Sequence, residues 1–343
     1  MTATTTAADV AGFFADAAGP VDRGEDDVRT GLRHLGALDL VAPPGSGAAH
    51  AVTLVERIAG ECLSSAFATW AQRMTFEYLT RAGHPDEALT DRVRRVGVVG
   101  ATAMAPALRD LAGLEPVPVV AVPAPDGGLV LDGPIRWASN LFDGAVVVLP
   151  VRLGDDEGDR AVVRITTDDP GVHRAPSPGL LALNGTGSTS VHLDGVRVPP
   201  QAVLSRDLRG FVGRIRPTFL LVQSAFCSGL ARRSAAESLA GATGVAAPLG
   251  PDARAVAARA ADVHDRLHTL AADPAAARPA DLLRLRLDAA GVATDATRVE
   301  SAVRGGAGYV AGSDVARRLR EGAFLPVQAP TEGHLRWELS RSS

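Results

Sequence analysis

One aromatic residue in the sequence lies beside hydroxyl and amide groups in an arrangement that suits a planar ligand. Trp137, Ser139 and Asn140 follow a stretch with strand-like alternation. An indole gives a cofactor ring a flat apolar wall, and a serine two residues later adds a hydrogen-bond donor. The same residues also suit a half-buried strand whose tryptophan packs into the core and whose serine lies in a turn. The residues alone leave both interpretations open.

A glycine-rich segment near the end of the chain is suited to contact a phosphate or an adenosine. Gly305, Gly306 and Gly308 precede Tyr309, and glycines let a backbone approach such groups closely. Glycine is also common where helices end, so a helix end followed by a loop is the alternative. Tyr309 is predicted to be a packing residue.

The histidines and cysteines predict no metal centre. His264 and His268 are four residues apart on a predicted helix, a spacing that can bind a metal. No nearby acidic residue completes a recognised motif, so the pair is interpreted as part of a solvated helix face. Cys62 and Cys227 lie on apolar helical stretches and are predicted to be buried thiols without a disulfide framework.

The composition of the 343 residues is that of an ordinary globular protein, with 46% hydrophobic and 22% charged residues. The net charge of −4 argues against nucleic-acid binding through a general basic field. All 35 basic residues are arginines, which excludes a catalytic lysine or a phosphate-loop lysine. No apolar stretch of about 18 residues and no signal-like start occur, so a soluble cytoplasmic protein without membrane contact is predicted.

The elements that must position these residues fall into three regions, each predicted to be a domain because the chain exceeds one compact core. In residues 1–97 and 207–343, apolar residues recur at helical spacing. In residues 98–206, short segments alternate between apolar and polar residues, and turn residues separate these segments. Strands and helices do not alternate in the middle region, which favours a small antiparallel barrel or sandwich. In the last region, Ala280–Gly291 and Ala293–Arg304 are predicted as two helices.

Four segments, in the right order and spacing, resemble stretches of the acyl-CoA dehydrogenase superfamily. They are Gly127–Asn140 (GGLVLDGPIRWASN), Asn184–Leu204 (NGTGSTSVHLDGVRVPPQAVL), Arg304–Tyr309 (RGGAGY) and Val315–Ala323 (VARRLREGA). The N-terminal helices match only in pattern. The resemblance implies an α+β multidomain fold with an N-terminal helical domain, a central antiparallel β-barrel domain and a C-terminal four-helix bundle.

The resemblance also implies a cofactor, a substrate class and an assembly. FAD lies between the β domain and the bundle in such proteins, and the substrate is an acyl thioester of coenzyme A or of a carrier protein. A homodimer or homotetramer is implied, or a hetero-oligomer with a homologue, in which a neighbouring subunit supplies part of the FAD site. The residues so assigned to FAD are Met104, Trp137, Ser139, Asn140, Gly305, Gly306 and Gly308. Met104 belongs to Ala101–Asp110, for which an apolar loop lining the barrel is the alternative.

The chain departs from the superfamily at the positions of the catalytic base. The carboxylate that removes the α-proton in these enzymes falls on Ala329 when the sequences are matched without a gap. A three-residue insertion would instead place Glu332 there, which makes Glu332 the one candidate for a catalytic residue. The other position used by relatives, on the first bundle helix, has Arg214 and Arg216 nearby and no acidic residue before Glu237.

The cofactor anchors are also reduced. The arginine and phenylalanine that hold the adenosine diphosphate in relatives are absent from Ala242–Leu249, and Ala302 replaces a glutamine that precedes the glycine pair. An arginine is a strong phosphate partner, so FAD binding is expected to be weak unless a neighbouring subunit compensates.

Three functions follow from the resemblance and these departures. The first is a flavin-dependent oxidoreductase of bacterial specialised metabolism, of dehydrogenase or monooxygenase type. It acts on an acyl thioester or related small molecule without Glu-driven desaturation. The second is a non-catalytic subunit that pairs with a complete acyl-CoA dehydrogenase. The third is a flavin-free use of the fold.

Overall fold

The computed structural model describes residues 7–154 and 159–341, with only the backbone of residues 7 and 8. The helices of the described residues are α1 (Ala7–Arg23), α2 (Val28–Ala37), α3 (Ala48–Glu61), α4 (Leu63–Thr80), α5 (Glu87–Arg94), α6 (Ala105–Leu111), α7 (Leu208–Gly241), α8 (Gly250–Ala272), α9 (Pro279–Arg304), α10 (Asp314–Phe324) and α11 (Glu332–Ser340). The strands are β1 (Gly100–Thr102), β2 (Val120–Pro123), β3 (Leu129–Ala138), β4 (Val146–Leu153), β5 (Arg160–Thr166), β6 (Val172–Arg174), β7 (Thr189–Val198) and β8 (Val203–Ser205).

The N-terminal helices owe their arrangement to a long apolar stretch that is interrupted once. Cys62 has an extended backbone between α3 and α4, and its thiol accepts a hydrogen bond from the amide of Ser65 at the start of α4. Helix α4 is buried along almost its whole length, because it lies among other helices and against β1. Cys62 and Cys227 are both free and buried, as predicted.

The eight strands form one sheet that is mostly antiparallel. Their order is β6-β7-β3-β2-β4-β5-β8, and β1 pairs with β4 beside this path. Two of the pairings, β1 with β4 and β2 with β4, are parallel, which the sequence did not predict. Alternating residues of these strands form a separate hydrophobic core inside the sheet region.

The C-terminal helices form a bundle in which α7 packs against α8 and α9. A larger core joins this bundle to α1, α3 and α4. The prediction of two helices on either side of Val292 is wrong, because α9 runs unbroken from Pro279 to Arg304. Gly291 lies on an open face of α9, while the flanking Ala290 and Val292 are buried. Their packing offsets the roughly 1 kcal/mol that a helical glycine costs.

The predicted fold class is confirmed: helices, then a sheet, then a helical bundle. The interpretation of Ala101–Asp110 as an apolar loop is wrong for its second half, which forms α6. A proline at the second position of α6 suits a helix start, because its missing amide hydrogen would be unpaired there. No helix in the described part of the chain is both long and apolar enough to cross a membrane.

Candidate active-site cavity

A cavity of about 590 Å³ lies where the sheet, the N-terminal helices and the bundle meet. Most of its walls are apolar, formed by Phe67, Trp70, Pro116, Pro118, Ile135, Phe219, Phe324 and Val327. The Trp70 ring stacks on Phe67 at 5.2 Å and meets Phe219 edge to face at 5.1 Å between ring centroids. The inner wall is therefore a packed aromatic cluster, which suits a flat organic ligand.

Trp137 lies on the cavity wall and does not pack into the core. The pairing of β3 with β7 shifts register between Ile135 and Ala138, so the two intervening residues both face outward. The Trp137 side chain is 58% exposed and lines the cavity. The interpretation of this tryptophan as a core residue is thereby excluded.

Two serine hydroxyls lie beside Trp137 on the same wall. Ser139 and Ser188 both line the cavity, and their Oγ atoms are 2.6 Å apart. The Ser188 hydroxyl is also 2.6 Å from that of Thr186, which donates to the Leu183 carbonyl. This chain of hydroxyls orients hydrogen-bond donors at the edge of the cavity.

Asn140 and Met104 do not line the cavity, so their assignment to the cofactor stays a prediction that the cavity does not support. Asn140 is fully buried, and its side-chain amide donates to the carbonyls of Ala68 and Gly100, each at 3.0 Å. It therefore ties α4 to β1. Met104 immediately precedes α6 and is buried in the larger core.

Four residues of the segment Ala101–Asp110 line the cavity, and sequence reasoning missed them: Thr102, Ala105, Pro106 and Arg109. The hydroxyl of Thr102 is 3.0 Å from the Tyr78 hydroxyl, which is fully buried. Burial raises the pKa of Tyr78, so the phenol remains a neutral hydrogen-bonding group.

The three predicted glycines lie at one end of the bundle, away from the cavity walls. Gly305 has φ 58°, a backbone conformation that favours glycine, and neither Gly305 nor Gly306 has a neighbour that an added Cβ would meet within 4 Å. Gly308 is packed against Arg304 and Val315. Tyr309 is 85% exposed, so its prediction as a packing residue is wrong.

No free carboxylate faces the cavity among the residues that the structure describes there. Ala329 lines it, as the ungapped match places it. Glu332 does not; it begins α11 and pairs with Arg336 at 2.8 Å. The one acidic lining residue, Glu115, binds the guanidinium groups of Arg109 and Arg136.

An ion pair is formed by Arg216, which the resemblance places near the second position of the base. Arg216 on α7 pairs with Glu338 on α11. Burial favours a higher pKa for Glu338, but hydrogen bonds from His334 and Arg216 outweigh burial and lower this pKa. The carboxylate therefore balances Arg216 and stays ionised, and sequence reasoning missed it because the partners are 122 residues apart.

A buried arginine holds the segment that carries Ala329. The Arg286 side chain is fully buried and donates to the Gln328 side chain at 2.8 Å and to the Leu325 carbonyl at 3.2 Å. Gln223 donates to the Ala329 carbonyl at 2.9 Å. These residues give the cavity wall a fixed backbone and had no local signal in the sequence.

The two predicted helix-face histidines are not simply solvated, which corrects that interpretation. His264 and His268 each hydrogen-bond to Glu56 on α3, at 2.8 Å in both cases. This cluster lies outside the cavity.

Comparison with known proteins identifies the fold. No family model matches the sequence, and no curated protein matches it. A glutaryl-coenzyme A dehydrogenase solved with glutaryl-CoA superposes with a TM-score of 0.85 over 97% of this chain and 93% of that chain, at 16% identity. PigA, solved as an FAD complex, superposes with a TM-score of 0.81 over 100% of this chain and 98% of that chain, at 15% identity. FkbI, for biosynthesis of the methoxymalonyl extender unit of a polyketide, superposes with a TM-score of 0.79 over 98% of each chain, at 21% identity. The chain has the acyl-CoA dehydrogenase fold, which confirms the resemblance seen in the sequence at the level of the fold.

Proposed function

We propose that this protein is an FAD-dependent oxidoreductase of specialised metabolism that acts on an acyl thioester or a related small molecule without a positioned carboxylate base. The observation that carries the proposal is the cavity itself, which presents an exposed tryptophan and serine hydroxyls but no free acid. The likeness of the fold to FkbI supports the biosynthetic context, and the likeness to PigA, solved as an FAD complex, supports the cofactor.

The residues of the cavity fit the ring system of a flavin. Trp137 offers an uncovered indole face, and Ser139 offers a hydroxyl beside it. The apolar wall around Trp70 excludes water from a flat ligand. When bound, the flavin supplies two-electron redox chemistry, while these side chains bind and orient it.

The first expected result concerns this wall. Replacement of Trp137 by Ala should weaken FAD binding about tenfold, because a lost aromatic contact of about 1.5 kcal/mol corresponds to that factor. Titration of the purified protein with FAD, followed by flavin fluorescence and the visible spectrum, measures the affinity. The matched control is Trp337→Ala, which removes an exposed tryptophan outside the cavity and should leave the affinity unchanged.

Equal affinities of wild type and Trp137→Ala would remove Trp137 from the site. Absence of any FAD binding by the wild type would reject the proposed function and leave a flavin-free use of the fold or a non-catalytic subunit.

The arginine and phenylalanine that the resemblance assigns to the phosphate end of FAD are absent from Ala242–Leu249, and we propose that a second copy of the chain completes this end. The ends of α7 and α9 lie side by side, because an added Cβ on Gly241 would meet Val303 at 2.8 Å. Large apolar side chains are exposed at and just after these ends: Leu239, Val245, Tyr309 and Val310. Such a patch suits an interface between copies of this chain.

The corresponding expectation is a concentration-dependent oligomer. Light scattering at tens of micromolar should give a dimer or tetramer, and Val245→Asp should shift it toward the monomer, because a charge is costly in an apolar interface. The control is Val122→Asp, which changes an exposed residue of β2. A wild-type monomer that binds FAD tightly would contradict the shared site.

A non-catalytic subunit is the second candidate function. This candidate is favoured because Glu115 is paired with Arg109 and Arg136, so the cavity has no free carboxylate to act as a base. In that case the interface would be formed preferentially with a complete homologue, and the purified chain would remain a monomer that binds FAD only in the mixed assembly.

A further inference from the structure

A histidine–glutamate cluster lies between the N-terminal helices and the bundle. Nδ1 of His264 is 2.8 Å from Oε1 of Glu56, and Nε2 of His268 is 2.8 Å from Oε2. The ligand atoms of the three side chains all lie within 4.8 Å of one another. The glutamate is 6% exposed, and the histidines are 31% and 33% exposed, so the carboxylate is buried while the imidazoles are open to water.

The fold brings the three side chains of this cluster together from α3 and α8. The spacing of four residues puts both imidazoles on one face of α8, with ring centroids 4.3 Å apart. Helix α3 approaches α7 closely at Gly229, where an added Cβ would lie 2.1 Å from the Glu56 carbonyl oxygen. Ser228 of α7 donates to Oε1 of Glu56 at 2.6 Å and so orients the carboxylate.

We propose that Glu56, His264 and His268 form a binding site for a divalent cation of the zinc class. Two imidazole nitrogens and one carboxylate oxygen are a donor set that suits Zn²⁺, with the fourth position open to water. Metal–ligand bonds of about 2.0–2.1 Å place neighbouring ligand atoms of a tetrahedron roughly 3.3–3.5 Å apart, so the contacts of 2.8 Å need to open by about half an ångström. The histidines, which are about one-third exposed, can make this adjustment by side-chain rotation.

One cation already lies near the cluster. A guanidinium nitrogen of Arg232 is 3.7 Å from Oε1 of Glu56, and the arginine side chain is half-exposed. Because this separation is longer than a hydrogen bond, Arg232 can turn into solvent when a metal ion arrives. Its charge reduces the affinity of the site without blocking it.

The bound ion would fasten two distant parts of the chain. Glu56 is 208 residues from His264 in the sequence, and the cation would join α3 to α8. A ligand that binds only the folded chain raises the stability by mass action, so Zn²⁺ should raise the unfolding temperature. None of the three residues lines the cavity, so the site is separate from the proposed flavin site.

Calorimetric titration of EDTA-treated full-length protein with ZnCl₂ tests the proposal. The wild type should bind one equivalent, and the His264→Gln/His268→Gln variant should lose at least about 100-fold in affinity. The matched control is His173→Gln/His192→Gln, which removes two exposed histidines that face each other across β6 and β7. This control should keep the tight site and the rise in unfolding temperature.

The proposal is overturned if wild-type protein binds no Zn²⁺, or if both double variants bind it as tightly as the wild type. Equal loss in both double variants would overturn it as well, because the site would then not depend on the cluster. Should the His264→Gln/His268→Gln variant fail to fold, as judged by circular dichroism, the two single variants replace it. Each single variant is expected to weaken binding at least about tenfold, and unchanged affinity in both would reject the site.

Discussion

Mixed with acyl-CoA thioesters, the FAD-loaded protein is expected to reduce its flavin about 10²- to 10⁴-fold more slowly than an acyl-CoA dehydrogenase that has its catalytic base. The methyl group of Ala329 cannot accept the α-proton, and Glu115 is engaged by Arg109 and Arg136. Stopped-flow absorbance of the flavin over short and long acyl chains measures this rate.

The variant Ala329→Glu restores a carboxylate on the cavity wall and should raise the rate at least about tenfold. Ala329→Gln is the matched control, because it adds similar volume without a proton acceptor and should not raise the rate. Glu332→Gln should have no effect, since Glu332 lies outside the cavity and pairs with Arg336. Rapid flavin reduction by the wild type that disappears in Glu332→Gln would show that Glu332 is the base after all.

Replacement of Glu300 by Gln is expected to lower the free energy of unfolding by about 3 kcal/mol. Glu300 on α9 is fully buried and pairs with Arg318 on α10, which is 5% exposed. The amide cannot balance the guanidinium charge, so a buried cation would lose its direct counter-ion. Denaturation by urea at pH 7, with the slope checked against the wild type, gives the change.

Asp288→Asn is the control for this effect, because it changes a carboxylate on the same helix in an exposed pair. Asp288 accepts from Arg266 at 2.9 Å, and the two side chains are 48% and 38% exposed. Its loss should cost less than about 1 kcal/mol. Similar losses in both variants would show that burial does not set the strength of the Glu300–Arg318 pair.

The fold could be predicted from the sequence to the level of its class. Helical and strand periodicities are local properties, so they revealed helices, a sheet region and a second set of helices before any contact was known. The segment around Trp137 and Ser139 was also local enough to single out two residues that do line the cavity. The continuity of α9 through Gly291 could not be predicted in this way. Residue 291 is helical because its buried neighbours pack against the rest of the bundle.

The sites depend on contacts between residues far apart in the chain, and those contacts exist only in the folded protein. The pairs Glu56 with His264 and Arg216 with Glu338 have no signal in the sequence, because each joins different helices. Asn140 had the residue type expected at a flavin, yet its two buried carbonyl partners decide that it ties α4 to β1. The sequence by itself determined which segments could form helices and strands. Only the tertiary structure decided which polar groups meet, because a buried polar group must be satisfied by whatever partner the packing brings to it.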